Sequence, residues 1–332
     1  MLLAACQAAP DVPELLKPLP QQQGWLSPSG QDHELIGRLW SSLRQQFVEP
    51  EDFIKSLQSA DFVLLGEKHD NRDHHRLQAW IVGALIGRGR RPALAFEQFS
   101  ADQRAALDAY LARHPQSAAG IGAAVGWEKT GWPPWSDYQP IAQAALDARL
   151  PIMPANLAKS TITAIARNGV SALGAAQAAS LRLTDAIPAD VQTQMRREIV
   201  AAHCDMLPQD MVDPMVTVLL ARDAYMAATL LEGRARKPSD MVVLIAGSGH
   251  VRQDRGVPYH LRKLRAGDQI VSVALTEARD GQSSPADYAG ALGAGEMPFD
   301  YVWFTPRADD EDLCIKFADQ LRRAGSQPPA TE

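Results

Sequence analysis

Two short segments carry residue types suited to acid–base or ligand chemistry at a shared spacing. Gly66-Glu67-Lys68-His69-Asp70 and Gly247-Ser248-Gly249-His250 both read G-x-x-H, and each follows an apolar run. Glycine at such a turn lets the chain reverse tightly and lets a ligand approach the backbone. Glu97-Gln98 follows a third apolar run, Ala93 to Phe96, and Asn156 follows a fourth, Leu150 to Pro154. Carboxylates and imidazoles gathered at one edge can coordinate a metal, act as general acid and base, or hydrogen-bond a polar ligand. The residues by themselves leave these three open. A lone strand-end histidine usually meets a structural need, so the expectation of one shared site rests on the four segments together.

Asp73-His74-His75 opens the element after the first motif, where the free backbone N–H groups of a helix start face the strand ends. His74 and Gln78 are four apart and share a face, and His75 points elsewhere. H-E-x-x-H is absent, so a zincin-type protease is not indicated. Met211, Met215, Val218, Arg222 and Met226 recur at helical steps, which sets Arg222 in a methionine-rich stripe. It pairs with a core carboxylate or meets an anionic group of a ligand lying on the methionines. Trp127, Trp132, Trp135 and Tyr138 crowd a Gly- and Pro-rich segment. They seal a core or cover a flat ligand, and their concentration in a loop favours the lid.

The elements that must position these residues alternate. Hydrophobic spacing predicts helices from His33 to Phe47, after Pro50, from Asn71 to Ile86, after a cap at Ser100, from Tyr138 to Ala148 and from Asn156 onward. Short apolar runs predict strands at Asp61 to Leu65, Ala93 to Phe96, Leu150 to Pro154, Met241 to Ile245, Gln269 to Ala274 and Tyr301 to Phe304. The pattern reads as an α/β fold, a mainly parallel sheet with helices on both faces, because parallel strands need crossovers that are usually helical. A helical block over about 185–235, broken at Pro208, reads as an insertion or cap. In open α/β sheets ligands bind beyond the carboxyl ends of the strands. That rule sends Glu67, His69, Glu97, His250 and Asn156 to one pocket, with His74 close by.

At 332 residues and 46% apolar composition the chain can bury a sizeable core, and a net charge of −6 gives no basic field for nucleic acid. No unbroken apolar run reaches the roughly eighteen residues of a membrane span. Cys6, Cys204 and Cys314 show neither zinc nor disulfide spacing. Leu3-Ala4-Ala5-Cys6 has the form of a bacterial lipobox, although only five residues precede Cys6. Gln7 to Gln23 then reads as a flexible tether, residues 31–325 as one domain and 326–332 as a disordered tail.

The run Leu64-Leu65-Gly66-Glu67-Lys68-His69-Asp70-Asn71, with His74-His75 and Gln78, resembles the signature of the ChaN family of haem-binding lipoproteins. So do Phe96-Glu97-Gln98, Trp135-Ser136-Asp137-Tyr138, Pro154-Ala155-Asn156, His203-Cys204, Arg222-Asp223-Ala224 and Gly247 to Arg252 with Asp254 and Gly256-Val257-Pro258. The similarity runs from about Gln31 to Val273. The resemblance implies noncovalent haem as cofactor, with no C-x-x-C-H attachment motif in the chain. It also implies lipidation at Cys6, a place in the bacterial cell envelope, a role in haem or iron acquisition, and a homodimer with paired haems. Family haem iron is associated with tyrosine, and Tyr259 is the position chosen here over Tyr138 and Tyr225. The expected ligand-binding set is Glu67, His69, His74, Glu97, Asn156, Arg222, His250 and Tyr259. The wider superfamily also resembles Tiki-type metalloproteases. That implies an alternative, a hydrolase with a divalent metal such as Zn or Mn on His69 and His250 and with Glu67 or Glu97 as ligand or base. A non-catalytic scaffold binding a protein through the tryptophan loop is a third reading.

Overall fold

Strand β3 (Phe62–Glu67) is buried along its whole length, as a strand covered on both faces must be. It lies at the centre of an eight-stranded sheet of order β2-β1-β8-β7-β3-β6-β4-β5. The other strands are β1 (Leu39–Ser41), β2 (Gln46–Val48), β4 (Pro92–Ser100), β5 (Ile152–Asn156), β6 (Met241–Gly247), β7 (Ile270–Glu277) and β8 (Tyr301–Thr305). β8 to β5 run parallel, and β1 and β2 form an antiparallel hairpin on one edge. The computed structural model describes residues 19–236 and 238–312 together with Cys314, Ile315, Ala318 and Arg322. The lipobox at Cys6, the tether up to residue 18 and the tail expected over 326–332 lie outside the described residues.

Helices cover both faces. α1 (Pro50–Leu57), α2 (Arg72–Gly87), α3 (Arg104–Arg113), α4 (Ile121–Ala124) and α5 (Trp135–Asp147) share a core with Val63, Leu65, Val243 and Ile245. α6 (Lys159–Asn168), α7 (Ala175–Ser180) and α8 (Ala189–Ala202) precede α9 (Gln209–Ala235). α9 then joins α10 (Val257–Leu264) and α11 (Pro285–Ala291) on the other face, over Leu64, Val242 and Leu244. Alternate residues of one strand thus feed opposite cores.

The helix expected from His33 to Phe47 does not form. Its place is taken by a turn through Gly37, at φ +78°, and by the β1–β2 hairpin. Leu43, which helical spacing would bury, is 90% exposed at the hairpin tip. Leu39 instead pairs with Trp303 from the far end of the chain, a partner no local pattern reveals. The part of the expected tether that is described, Leu19 to Gln23, is structured. Pro20–Gln23 forms a 3-10 turn, and buried Asp73 accepts from the N–H groups of Leu26 and Ser27, docking this arm on α2.

Pro208 separates α8 from α9 as expected, but α9 is only partly a cap. Met226, Ala227 and Leu230 in its C-terminal half pack on the sheet, making it the crossover into β6. Its length and composition would suffice to cross a membrane, yet half of its most apolar window is buried, as befits a core helix. The N-terminal half forms a small core of its own with α8, through Met195, Ile199, Val212 and Val216. Cys204, in the turn between them, is disulfide-bonded to Cys314, a pairing 110 residues apart that cysteine spacing did not suggest.

Candidate functional site

β3 ends at Glu67 directly opposite Gly247 at the end of β6, and β4 passes the same level, with Phe96 opposite Ile245. β4 leaves regular register with β5 between Phe96 and Ser100, an irregularity of the kind that re-aims side chains near sites. Glu67 follows the alternation of Val63 and Leu65 and faces α2 and α5, whereas Glu97 follows Ala93 and Ala95 and faces α9. Between them the edge is kept clear by Gly247. A Cβ built there would come 3.0 Å from His69 Nε2 and 3.6 Å from Glu97 Oε2.

On the first face, Glu67 Oε1 accepts from Tyr138 Oη at 2.7 Å and Gln98 Nε2 at 2.8 Å, and it meets His69 Nδ1 at 2.9 Å. Its Oε2 lies 3.3 Å from His75 Nε2, close enough for charge interaction though not aligned as a hydrogen bond. Burial by itself raises the pKa of Glu67, but His75 and His69 outweigh it and bring the pKa down to about 2. Burial raises that of Tyr138 strongly, and the Glu67 charge adds to it. For His69, burial acts to lower the pKa, and the carboxylates of Glu67 and Glu97 reverse this into a net rise.

On the second face, Glu97 accepts from Gly247 N–H at 2.7 Å and from Arg222 Nη2 at 2.5 Å, and it lies 3.2 Å from His250 Nε2. Arg222 also donates from Nε to Asn156 Oδ1 at 3.0 Å. His250 Nδ1 meets Asp223 Oδ1 at 2.5 Å, so both ring nitrogens face carboxylates. Burial opposes its protonation, yet Glu97 and Asp223 raise its pKa to about 9. Burial also works to raise Glu97, and His250 and Arg222 overcome it and hold that carboxyl well below the usual range.

Glu67, His69, Glu97, Asn156, Arg222 and His250 therefore meet at one sheet edge. His74 is near but turned away. Its Nδ1 accepts from Lys68 N–H at 2.9 Å and its Nε2 bonds Thr305 Oγ1 at 2.8 Å. Burial lowers its pKa to about 3, and it is a neutral strut. The expectation that His74 rather than His75 faces the site is thus reversed. Asn71 caps α2 by accepting from the N–H groups of Asp73 and His74, and this sets the rotation of the first turn. Tyr259 is not brought to the edge. It lies on α10 with its ring against His260 and below Lys263 Nζ.

His75, Gln98, Tyr138 and Asp223 complete the site without having been chosen as ligand-binding residues. All four stood within or beside the motifs quoted above, and their adjacency was the only signal. The tryptophan segment divides: Trp127 and Trp135 are buried core rings in contact with one another, and Trp132 alone stays half-exposed, edge-on to His69 at 4.7 Å. There it walls a cleft of about 740 Å³ shared with His69, Arg72, Pro133, Ser136 and Asp137. Arg72 stands at its rim, its side chain 62% exposed and 3.2 Å from Asp137. A second groove of about 720 Å³, between α2 and α5, reaches none of the strand-end residues.

Residues 53–261 match the family model described as haem-binding uptake, Tiki superfamily, ChaN. Among solved structures, that of ChaN from Campylobacter jejuni with cofacially bound haem is 24% identical, with a TM-score of 0.60 over 80% of this chain and 95% of that one. At that identity the likeness speaks to the fold. An erythromycin esterase mutant in its open conformation is 12% identical, covering 83% of this chain and 99% of that one at a TM-score of 0.41. The type III effector HopBA1 is 11% identical, covering 77% and 92% at 0.40. No curated protein matches the chain significantly.

Proposed function

Because the chain belongs to the haem-binding uptake family of the Tiki superfamily, the ChaN family, we propose that it binds haem in the cleft beside His69 and handles haem or iron in the cell envelope. The observation that carries this reading is the cleft itself. A flat ligand finds a Trp132 wall, a partly exposed imidazole whose Nδ1 is already tied to Glu67, and Arg72 at the rim. Gly247 lets the His69 ring approach the end of β6 closely, since a Cβ there would stand 3.0 Å from Nε2. These residues fit haem: the imidazole suits iron, the indole suits the macrocycle, and a guanidinium suits a propionate. Bound haem would supply an iron able to take up a protein or exogenous ligand, with Trp132, His69 and Arg72 as the residues that would hold it. The protein holds, orients and shields it. The chain lacks C-x-x-C-H, so attachment is noncovalent.

The envelope part of the reading is supported by the Cys204–Cys314 disulfide, since such bonds persist in oxidising compartments. It is supported also by the lipobox-like Leu3 to Cys6, which would anchor the chain by lipid. A homodimer with paired haems belongs to the same proposal. Haemin titrated into purified full-length protein should give a saturable Soret shift, and a spectrum that only tracks haemin aggregation would sink the reading. Fatty-acid labelling lost in Cys6→Ser tests the anchor.

The metal-dependent hydrolase draws less support from the site. Both nitrogens of His250 are engaged by carboxylates, and Arg222 occupies the Glu97 oxygen a divalent cation would use. Among the described residues no group of three or more His, Cys, Asp or Glu is arranged to hold a metal ion.

A further inference from the structure

The two helices that bring Arg72, Ser136 and Asp137 to the cleft carry the second groove further along their length. Its floor is formed by Ala79, Trp80, Gly83 and Ile86 of α2 with Ala144 and Ala148 of α5, around a space of about 720 Å³. The five apolar side chains among them pack inward on the core of the first face and stay only half-buried. Trp80 is held as a wall by its edge-on contact with Trp303, at 5.8 Å between ring centres. A Cβ built on Gly83 meets nothing within 4 Å, so the floor is open there.

The path of the arm points to what covers it. Pro20 and Gln23 line the groove beside Arg76, whose guanidinium donates to the carbonyls of Pro20 at 3.3 Å and Gly24 at 2.8 Å. Leu19 packs on the same core as the floor, and its backbone, at φ −48° and ψ 141°, is extended in the manner of polyproline II. The residues before it have a period of three. Pro10, Pro13, Leu16 and Leu19 form one row, Val12, Leu15 and Pro18 a second, and Asp11, Glu14 and Lys17 a third. A polyproline II helix has three residues per turn, so this spacing gives two adjoining apolar faces and one charged face. Proline fixes φ for that conformation and holds the residue before it extended. An apolar groove walled by an aromatic ring suits such a segment, because the preformed helix loses little entropy on docking. From Arg76 to Ile86 the groove follows α2 for about 15 Å. At about 3.1 Å per residue that length takes about five residues of polyproline II.

We propose that the α2–α5 groove is the docking site of this chain's own segment Glu14–Pro18, bound as polyproline II with Leu15, Leu16 and Pro18 on the floor and with Glu14 and Lys17 outward. The segment continues the line of Leu19 and Pro20 away from the cleft, so the arm is a strap along the helix pair. Whatever holds the chain upstream of Glu14 is thereby joined to the α2–α5 side of the molecule. The strap is independent of what the cleft binds.

The test uses the full-length chain and an endoproteinase that cuts after glutamate, with cleavage at Glu14 followed by mass spectrometry. Docking hides that bond, and the cleavage rate reads the undocked population. Gly83→Leu fills the open floor without a clash, and Leu16→Ser removes an apolar contact from the segment itself. Each should speed cleavage at Glu14 by about tenfold over wild type. Leu16→Ser lies outside the folded core and covers the case of a poorly folded Gly83 variant. In a Cys6→Ser chain, Leu16→Cys and Gly83→Cys together should form a disulfide within one chain on mild oxidation. Equal, rapid cleavage in wild type and both variants overturns the docking. Protection lost in Leu16→Ser but kept in Gly83→Leu overturns the groove as its site. Protection that grows with protein concentration, or a cross-link found only between two chains, overturns the strap in favour of exchange between copies.

Discussion

Two carboxylates stand at the same sheet edge in opposite surroundings. Glu97 is saturated by charge, with Arg222 and a protonated His250 against it and Asp223 behind. Glu67 is held by a phenol, an amide and two imidazoles, and one of those imidazoles opens on the cleft. The Glu97 half is an ion-paired lock joining β4, α9 and the β6 turn. The Glu67 half is held by hydrogen-bond donors and by histidines, among them His69, whose protonated form Glu67 and Glu97 favour. A buried carboxylate serves structure when its cations come from the protein, and serves binding when the protein leaves one contact to the ligand.

The largest effect expected from this contrast follows Arg222→Ala. Removing one partner of a buried pair leaves an uncompensated charge, at a cost of about 3 kcal/mol. Urea unfolding should report that loss with haemin affinity little changed. A loss confined to haemin binding would reverse the roles of the halves.

The pH dependence of stability sharpens the same division. His250 is raised to about 9, so its contribution is full below its unfolded pKa near 6.5 and is lost as pH rises through 9. Glu67 is lowered to about 2, so its contribution is full above its unfolded value near 4.5 and is lost as pH falls toward 2. His74, lowered to about 3, adds to the acid loss below pH 6.5, because the unfolded chain takes the proton first. Each group sets a slope of up to about 1.4 kcal/mol per pH unit. In unfolding series from pH 6 to 10, His250→Gln should flatten most of the alkaline limb, His69 accounting for the remainder. Glu67→Gln should leave the His250 limb in place.

Gly247→Ala probes the seam between the halves. Its Cβ would sit 3.0 Å from His69 Nε2, so overpacking of about 1–2 kcal/mol should accompany weaker haemin binding. Unchanged affinity would mean that the position of His69 against Gly247 does not serve the ligand. The smallest effect on stability belongs to Trp132→Ala, within about 0.5 kcal/mol for a half-exposed ring, and its consequence should appear in haemin affinity alone. If thermal unfolding shifts more than affinity does, Trp132 belongs to the core with Trp127 and Trp135.

Much of the fold was legible because short apolar runs, four of them leading into Gly66, Glu97, Asn156 or Gly247, report strands buried on both faces. The rule that ligands gather beyond parallel strand ends then collected Glu67, His69, Glu97, Asn156 and His250 without any contact being known. Arg222 was legible as a residue in need of a partner, since a guanidinium in an apolar stripe cannot remain alone. Local periodicity failed at Leu39, Leu43 and Phe47, where a helical spacing concealed a hairpin whose register is set by Trp303.

What the sequence by itself determined is the alternation of elements, the chemistry available at the strand ends, and the family. Which histidine of the pair at 74 and 75 faces Glu67, which tryptophan remains at the surface, and that Cys204 meets Cys314 were decided only by tertiary structure. The reason is geometric. Residue type and spacing state what a side chain can do, but its direction depends on the rotation of its element against neighbours distant in sequence. For α2 that rotation was set by the Asn71 cap and by Thr305 receiving His74.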